Sequence, residues 1–288
     1  MLIVGDTPLV ELKNYRKNNI RIFAKLEYYN PCGSIKDRIG KWLVEDAISK
    51  NKIKKDTVIV EASSGNTGIG IANACREHNI KCLIIAPENT SKMKIKMMKM
   101  LNAEIILING TTDDCIKHCQ KISAENKNYL WLNQFDNKQC ITCHEYTTAR
   151  EIERQLKQYT TKGHNILVCA MGTTGTIMGC SKYLKPKGWE IVGVQPLPNC
   201  KIEGLKNLDI QRRPKIYDEK AINWMHQVTD KDAWDCVKEL CKEGIFGGFS
   251  SGAAFHIAKQ WWRFYKLWSP NECINIIVII PDTIRNYL

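Results

Sequence analysis

The sequence predicts an α/β protein, with parallel strands covered by helices that cross over right-handed. Two observations lead there. Short apolar runs alternate along the whole chain with longer amphipathic segments, which is the rhythm of strand–helix–strand units. Several runs are also rich in Val and Ile and apolar at successive positions, so both faces are covered, as in the interior of a parallel sheet.

Taken in order, residues 21–26 form the first strand and residues 34–50 the first helix. The run at 57–61 (TVIVE) is a strand, followed by a helix over 66–77. Strand 81–86 (KCLIIA) precedes helix 91–101, and strand 104–108 (EIILI) precedes helix 113–126. Strand 129–132 leads to a helix over 144–159, and strand 165–170 (NILVCA) to a helix over 175–184. Strand 190–194, helices 231–243 and 251–267 and the wholly apolar strand 273–280 (CINIIVII) complete the pattern. Between Gln195 and Asp218 lies the longest stretch without periodicity, holding Pro196, Pro198 and Pro214. A loop of that length is a functional segment or a domain-edge excursion.

The 288 residues allow one large domain or two modest ones, at roughly 100–200 residues each. With 42 basic against 30 acidic side chains the chain carries a formal charge of +12. The basic residues are dispersed and no nucleic-acid motif accompanies them, so no nucleic-acid partner is expected. No apolar stretch approaches the length of a membrane-spanning helix, and no membrane partner is expected either. The N-terminus, MLIVGDTPLVELKNY, lacks the features of a secretory signal. The thirteen cysteines are irregularly spaced. They read as reduced thiols of a cytoplasmic protein.

Two strand-to-helix turns carry chemistry. Ser63-Ser64-Gly65-Asn66-Thr67-Gly68 places hydroxyls, an amide and two glycines at a helix start, where unpaired N–H groups and the helix dipole can hold an anion such as a carboxylate. The same residues also suit a plain helix cap whose glycines only permit the turn. Gly172-Thr173-Thr174-Gly175-Thr176 offers backbone and hydroxyl donors for a phosphate. No Walker lysine follows it, and it lacks the G-x-G-x-x-G spacing of dinucleotide folds, so the phosphate belongs to some other ligand. A third turn, Gly247 to Ala254, again opens a helix.

In order along the chain stand GDTPLVEL, NPCGSIKDR, EASSGNTGIGIA, NQFDN, MGTTGTIMG and GIFGGFSSGAA. This series resembles the β-family of pyridoxal-phosphate enzymes, and within it the cysteine synthase (O-acetylserine sulfhydrylase) branch, with wording nearest the B isozyme. The resemblance implies two open, twisted, mainly parallel sheets with helices on both faces, the tryptophan-synthase-β-like arrangement called fold type II. It implies an N-terminal domain over 1–140, its first ~35 residues packing on the C-terminal domain, and a cofactor-phosphate domain over 141–288. By position, Lys36 matches the lysine that joins pyridoxal 5′-phosphate as a Schiff base and moves the Cα proton. Asn66 matches the contact to the cofactor's 3′-oxygen, Ser250 the serine at its pyridine nitrogen, and Gly172, Thr173, Thr174, Gly175 and Thr176 the phosphate cradle. Ser63, Ser64, Gly65, Thr67 and Gln134 match the site of the substrate carboxylate.

The implied reaction replaces the acetoxy group of O-acetylserine by sulfide through an enzyme-bound aminoacrylate, giving cysteine and acetate in a homodimer. Cystathionine β-synthase or dehydratase chemistry, use of O-phosphoserine, and a non-catalytic homologue are the alternatives.

Two strings compete with that reading. Cys140-Ile141-Thr142-Cys143-His144 spells a haem-attachment motif, but without an export signal the cysteines read as ordinary loop residues before a helix beginning near Tyr146. No second ligand pair stands at zinc spacing, and no metal is expected. In SKMKIKMMKML (91–101), Met93, Met97, Met100 and Leu101 share a face expected to pack inward. The chain departs from the family wording at Ala149-Arg150, where Gly-Pro is usual, and at Ile284, where glycine is usual.

Overall fold

The computed structural model describes residues 3–160 and 162–287. Met1, Leu2, Thr161 and Leu288, the outer ends of the expected domain spans among them, lie outside the described residues. The chain divides into two units. One comprises Asn30–Cys140 with residues 3–4, and the other Gly5–Tyr29 with the chain from Ile141 onward.

The elements run β1 (Leu9–Lys17), β2 (Ile20–Leu26), α1 (Lys36–Ser49), β3 (Val58–Ala62), α2 (Asn66–Glu77), β4 (Lys81–Pro87), α3 (Lys92–Met100), β5 (Glu104–Ile108), α4 (Thr112–Glu125) and β6 (Tyr129–Trp131). They continue with α5 (Gln139–Tyr146), α6 (Thr148–Leu156), β7 (His164–Ala170), α7 (Gly175–Leu184), β8 (Glu190–Pro196), β9 (Trp224–Val228), α8 (Asp230–Lys242), α9 (Phe249–Trp268) and β10 (Ile274–Ile280).

In the first unit four parallel strands lie in the order β5-β4-β3-β6. Val60, Ala62, Leu83 and Ile85 pack on Cys115, Ile116 and Cys119 of α4. In the second unit six strands lie in the order β1-β2-β10-β7-β8-β9, parallel except that β1 runs antiparallel to β2. The central strand β10 is buried at every residue, which is why its sequence shows no polar alternation. These are the two mainly parallel, helix-covered sheets that the resemblance implied.

The sequence reading missed β1 and β9. Both are edge strands; β1 exposes Lys13, Arg16 and Lys17 and reads like a loop, while β9 is a five-residue strand that exposes Trp224, Met225 and Gln227. Polar and charged side chains are what keeps an edge from pairing with another chain. The helix expected over 144–159 is two helices, broken at Thr147, where the backbone leaves the helical region. The first of them starts at Gln139, whose N–H donates to Asn137 Oδ1 at 3.0 Å. Cys140, Cys143 and His144 therefore lie inside helix α5 and are buried, rather than standing in a loop. Helix α3 also differs from expectation. It buries Lys94 and Met98, while Met93 and Met100 are exposed. The face is turned toward the start of α2, where Met98 meets Gly68 and Lys94 lies along Gly65.

Candidate active site

In the first unit, Lys36 opens α1 and is half-buried. The turn before it is closed locally, with Cys32 N–H donating to Asp37 Oδ2 at 2.6 Å and Lys36 N–H to Ser34 Oγ at 3.2 Å. Its height relative to α2 is set by glycine. A Cβ on Gly70 would stand 2.5 Å from the Lys36 carbonyl, and one on Gly40 would stand 2.2 Å from Gly70 carbonyl carbon. The two helices thus touch backbone to backbone, which only glycine at both positions permits.

The turn from β3 into α2 is organised by its own hydroxyls. Ser63 Oγ accepts from Gly65 N–H at 3.2 Å and Gly68 N–H at 2.9 Å. Ser63 thus shapes the loop and satisfies an N–H in the first turn of α2. Thr67 Oγ1 donates to Gln134 Oε1 at 2.7 Å, and Gln134 Nε2 donates to the Ala62 carbonyl at 3.1 Å. Gln134, Thr67 and Ser63 are buried, Gly65 and Asn66 half-buried, and Ser64 is exposed at the tip. The structure brings these five carboxylate candidates into one hydrogen-bonded turn, with Asn66 as the first residue of α2.

Two further residues attend the turn. The buried Lys94 side chain lies along Gly65, its Nζ 3.5 Å from where a Cβ there would sit. Glu61, on the strand that feeds the turn, is fully buried, and burial pushes its carboxyl up to about 8. Sequence reading passed over both. Lys94 lies off the Met93–Leu101 face expected to pack inward, and Glu61 is the last residue of the strand expected over 57–61.

In the second unit β7 runs into Met171–Thr174 and α7. Thr174 takes the left-handed conformation, φ +68°, unusual for a β-branched residue. Its Oγ1 is buried without a hydrogen-bond partner among the described residues. Strain and an orphaned hydroxyl at one residue mark a site built around something else. A Cβ on Gly172 would stand 2.3 Å from the Gly204 carbonyl, so the aperiodic 195–218 segment packs directly on this turn. Thr176 Oγ1 lies 3.2 Å from His144 Nε2, and His144 Nδ1 lies 2.9 Å from Thr148 Oγ1. His144, unassigned from sequence, therefore supports the turn from α5. The Ala149-Arg150 departure is absorbed beside it. Ala149 is buried, and the Arg150 guanidinium stacks 4.4 Å from the Tyr146 ring.

Ser250 stands in the first turn of α9, buried, with no hydrogen bond from its hydroxyl among the described residues. No cluster of three metal-ligating side chains occurs among the described residues.

The second turn fits a phosphate. It sits at a helix N-terminus with donors in excess, one unsatisfied, and with Gly172 leaving no room for a side chain. The first fits a carboxylate held by a short helix-start loop.

Comparison with known proteins agrees with both units. The chain is 34% identical to cystathionine β-synthase of Saccharomyces cerevisiae over 99% of its own length, spanning 61% of that protein. It is 33% identical to cysteine synthase B of Campylobacter jejuni, covering 99% of this chain and 95% of the relative. The crystal structure of cysteine synthase from Entamoeba histolytica superposes with a TM-score of 0.89 at 31% identity, covering 99% of this chain and 87% of that one. A family model described as pyridoxal-phosphate dependent enzyme matches residues 1–267. The chain therefore belongs to the pyridoxal-phosphate-dependent enzyme family.

Proposed function

We propose that the protein is a cysteine synthase, exchanging the acetoxy group on Cβ of O-acetylserine for sulfide to give cysteine and acetate. The observation that carries this reading is the intact carboxylate loop, Ser63 to Thr67 sealed by Gln134, in a chain that matches a cysteine synthase over 95% of that enzyme's length.

When bound, pyridoxal phosphate supplies an electron sink for the pair left at Cα. Gly172, Thr173, Thr174, Gly175 and Thr176 would hold its phosphate, Thr174 finding there the partner its hydroxyl lacks among the described residues. Lys36 would hold it covalently, Asn66 would contact the 3′-oxygen, and Ser250 would stand at the ring nitrogen. A hydroxyl there, unlike a carboxylate, does not favour a protonated ring, which suits departure of a β-substituent over build-up of charge at Cα. Ser64, Gly65 and Thr67 would take the amino acid's carboxylate at the start of α2, with Ser63 holding the loop in shape and Gln134 closing it from the strand side. Lys36 Nζ would remove the Cα proton and return it after sulfide adds to Cβ.

The same reading makes the protein a cytoplasmic homodimer that works on small molecules. All thirteen cysteines are thiols, which supports a reducing compartment. Light scattering should give twice the 33.0 kDa chain mass.

A second reading, condensation of serine or O-acetylserine with a larger thiol, is favoured by the 34% identity to the yeast cystathionine β-synthase. Steady-state rates of O-acetylserine, O-phosphoserine and serine, each with sulfide, thiosulfate and homocysteine, separate the two. O-acetylserine with sulfide should give the highest kcat/KM. A preference for homocysteine would transfer the conclusion to the second reading.

A further inference from the structure

Strand β3 loses its neighbour before it ends. Its pairing with β6 runs only from Val58 opposite Tyr129 to Val60 opposite Trp131. After Leu132 N–H reaches the Val60 carbonyl at 3.3 Å, the chain turns away through Asn133, whose φ is +54°. On that edge the N–H and C=O of Ala62 are left without a strand partner, deep in the unit, and must be satisfied by other groups.

Two side chains fill the gap. Glu61 Oε1 accepts from Ala62 N–H at 3.1 Å, and Glu61 Oε2 accepts from Gln134 N–H at 3.3 Å. Gln134 Nε2 donates to the Ala62 carbonyl at 3.1 Å, while Gln134 Oε1 accepts from Thr67 at 2.7 Å. Gln134 is thus held at its backbone by Glu61 and at both ends of its amide by β3 and the carboxylate loop. Burying a carboxyl in a strand costs stability that Val or Ile would not. What the carboxyl alone supplies here is two acceptor oxygens, one for each N–H. The titratable groups facing it are Cys82 on β4, whose thiol is held protonated by its hydrogen bond with Cys75 and by burial, and Cys119 on α4, whose thiol burial holds protonated.

We infer that Glu61 is a positioning residue for substrate recognition, its carboxyl fixing the backbone of Gln134 and so the face that the carboxylate loop offers to the amino acid. This rests on the reading of Ser63–Thr67 and Gln134 as the substrate-carboxylate site. Glu61 touches no reacting atom in this scheme. It acts through Gln134, at the break between two strands.

The test pairs Glu61→Gln with Gln134→Ala and their double variant, on the cofactor-loaded protein. Glu61→Gln keeps size and burial but turns one acceptor oxygen into an NH2 group facing an N–H. It should raise KM for O-acetylserine about tenfold, the worth of one hydrogen bond, with kcat nearly unchanged. Hydrogen exchange at the Gln134 amide should quicken in the same variant. In the Gln134→Ala background Glu61→Gln should change KM by less than about twofold, because it acts through the residue already removed. An unchanged KM in Glu61→Gln alongside a raised KM in Gln134→Ala overturns the inference, as do penalties that multiply in the double variant. An unchanged KM in Gln134→Ala overturns the carboxylate-loop reading itself, and the inference with it.

Discussion

The two ligand turns are built on one plan and finished in opposite ways. Each leaves a parallel strand and opens a helix, β3 into α2 in one unit and β7 into α7 in the other. The Ser63–Thr67 turn satisfies its two buried hydroxyls internally, Ser63 accepting from two backbone N–H groups and Thr67 donating to Gln134. The Gly172–Thr176 turn holds a threonine in a left-handed conformation with a buried, unpaired hydroxyl. A turn that is complete by itself can take a ligand and release it. A turn that is strained and one hydrogen bond short is improved by a ligand that stays. In the proposed scheme that difference distinguishes a substrate turn from a cofactor turn, and it lies in hydrogen-bond satisfaction, since both turns combine glycine with small hydroxyl residues.

The largest effect expected bears on neither turn but on the amine between the two ligands in the proposed chemistry. Lys36→Ala should lower cysteine formation by about 10³-fold or more, a loss in the range of a missing acid–base group, measured as kcat in single-substrate saturation. Retained activity would dissolve the comparison, because neither turn would then serve the reaction proposed.

Next come the substitutions that separate the turns. Thr174→Ala should weaken pyridoxal-phosphate affinity about tenfold, measured by equilibrium dialysis of the apoprotein, and leave KM for O-acetylserine unchanged at saturating cofactor. Thr67→Val should do the reverse, raising KM about tenfold while the cofactor stays bound. Crossed results, with Thr174 altering KM and Thr67 altering cofactor affinity, would show that the assignments are exchanged.

A smaller effect concerns the packing that carries Lys36 beside the first turn. Gly70→Ala places a Cβ 2.5 Å from the Lys36 carbonyl, and overpacking of this kind costs about 1–3 kcal/mol. Thermal unfolding should show a lowered Tm. An unchanged Tm would mean that α1 and α2 separate without cost.

The smallest expected effect is a pH slope. The Glu61 carboxyl rises from the ordinary 4.5 to about 8 in the folded protein, so the native state retains a proton that the unfolded chain releases. Its stabilising contribution is complete below about 4.5 and is lost as pH rises through about 8. Between those values the Tm of the unaltered protein should fall more steeply with pH than that of Glu61→Gln. Parallel curves would count against a buried, neutral Glu61.

Much of the site was legible because each turn is a contiguous string whose chemistry depends on neighbours within six residues. The glycine–hydroxyl strings at 63–68 and 172–176 could be read off directly, while Ser250 was marked only through the family resemblance. The supports were not legible in the same way. His144 reaches Thr176 across 32 positions and Glu61 reaches Gln134 across 73. No local pattern distinguishes a buried histidine that holds a threonine from one that merely packs. The edge strands β1 and β9 were lost for a related reason, since an edge is recognised by what fails to pair with it.

The sequence by itself determined the layered α/β class, the interior strands and the two glycine–hydroxyl turns, because apolar periodicity and helix-start chemistry are properties of short segments. Tertiary structure alone decided which hydroxyls are spent and which remain unsatisfied, that Ser63 shapes the loop, that Thr174 is strained, and that Glu61 plugs the broken edge of β3. Those are outcomes of burial and of partners brought together from distant parts of the chain, and a buried polar group takes its role from whichever partner the fold supplies.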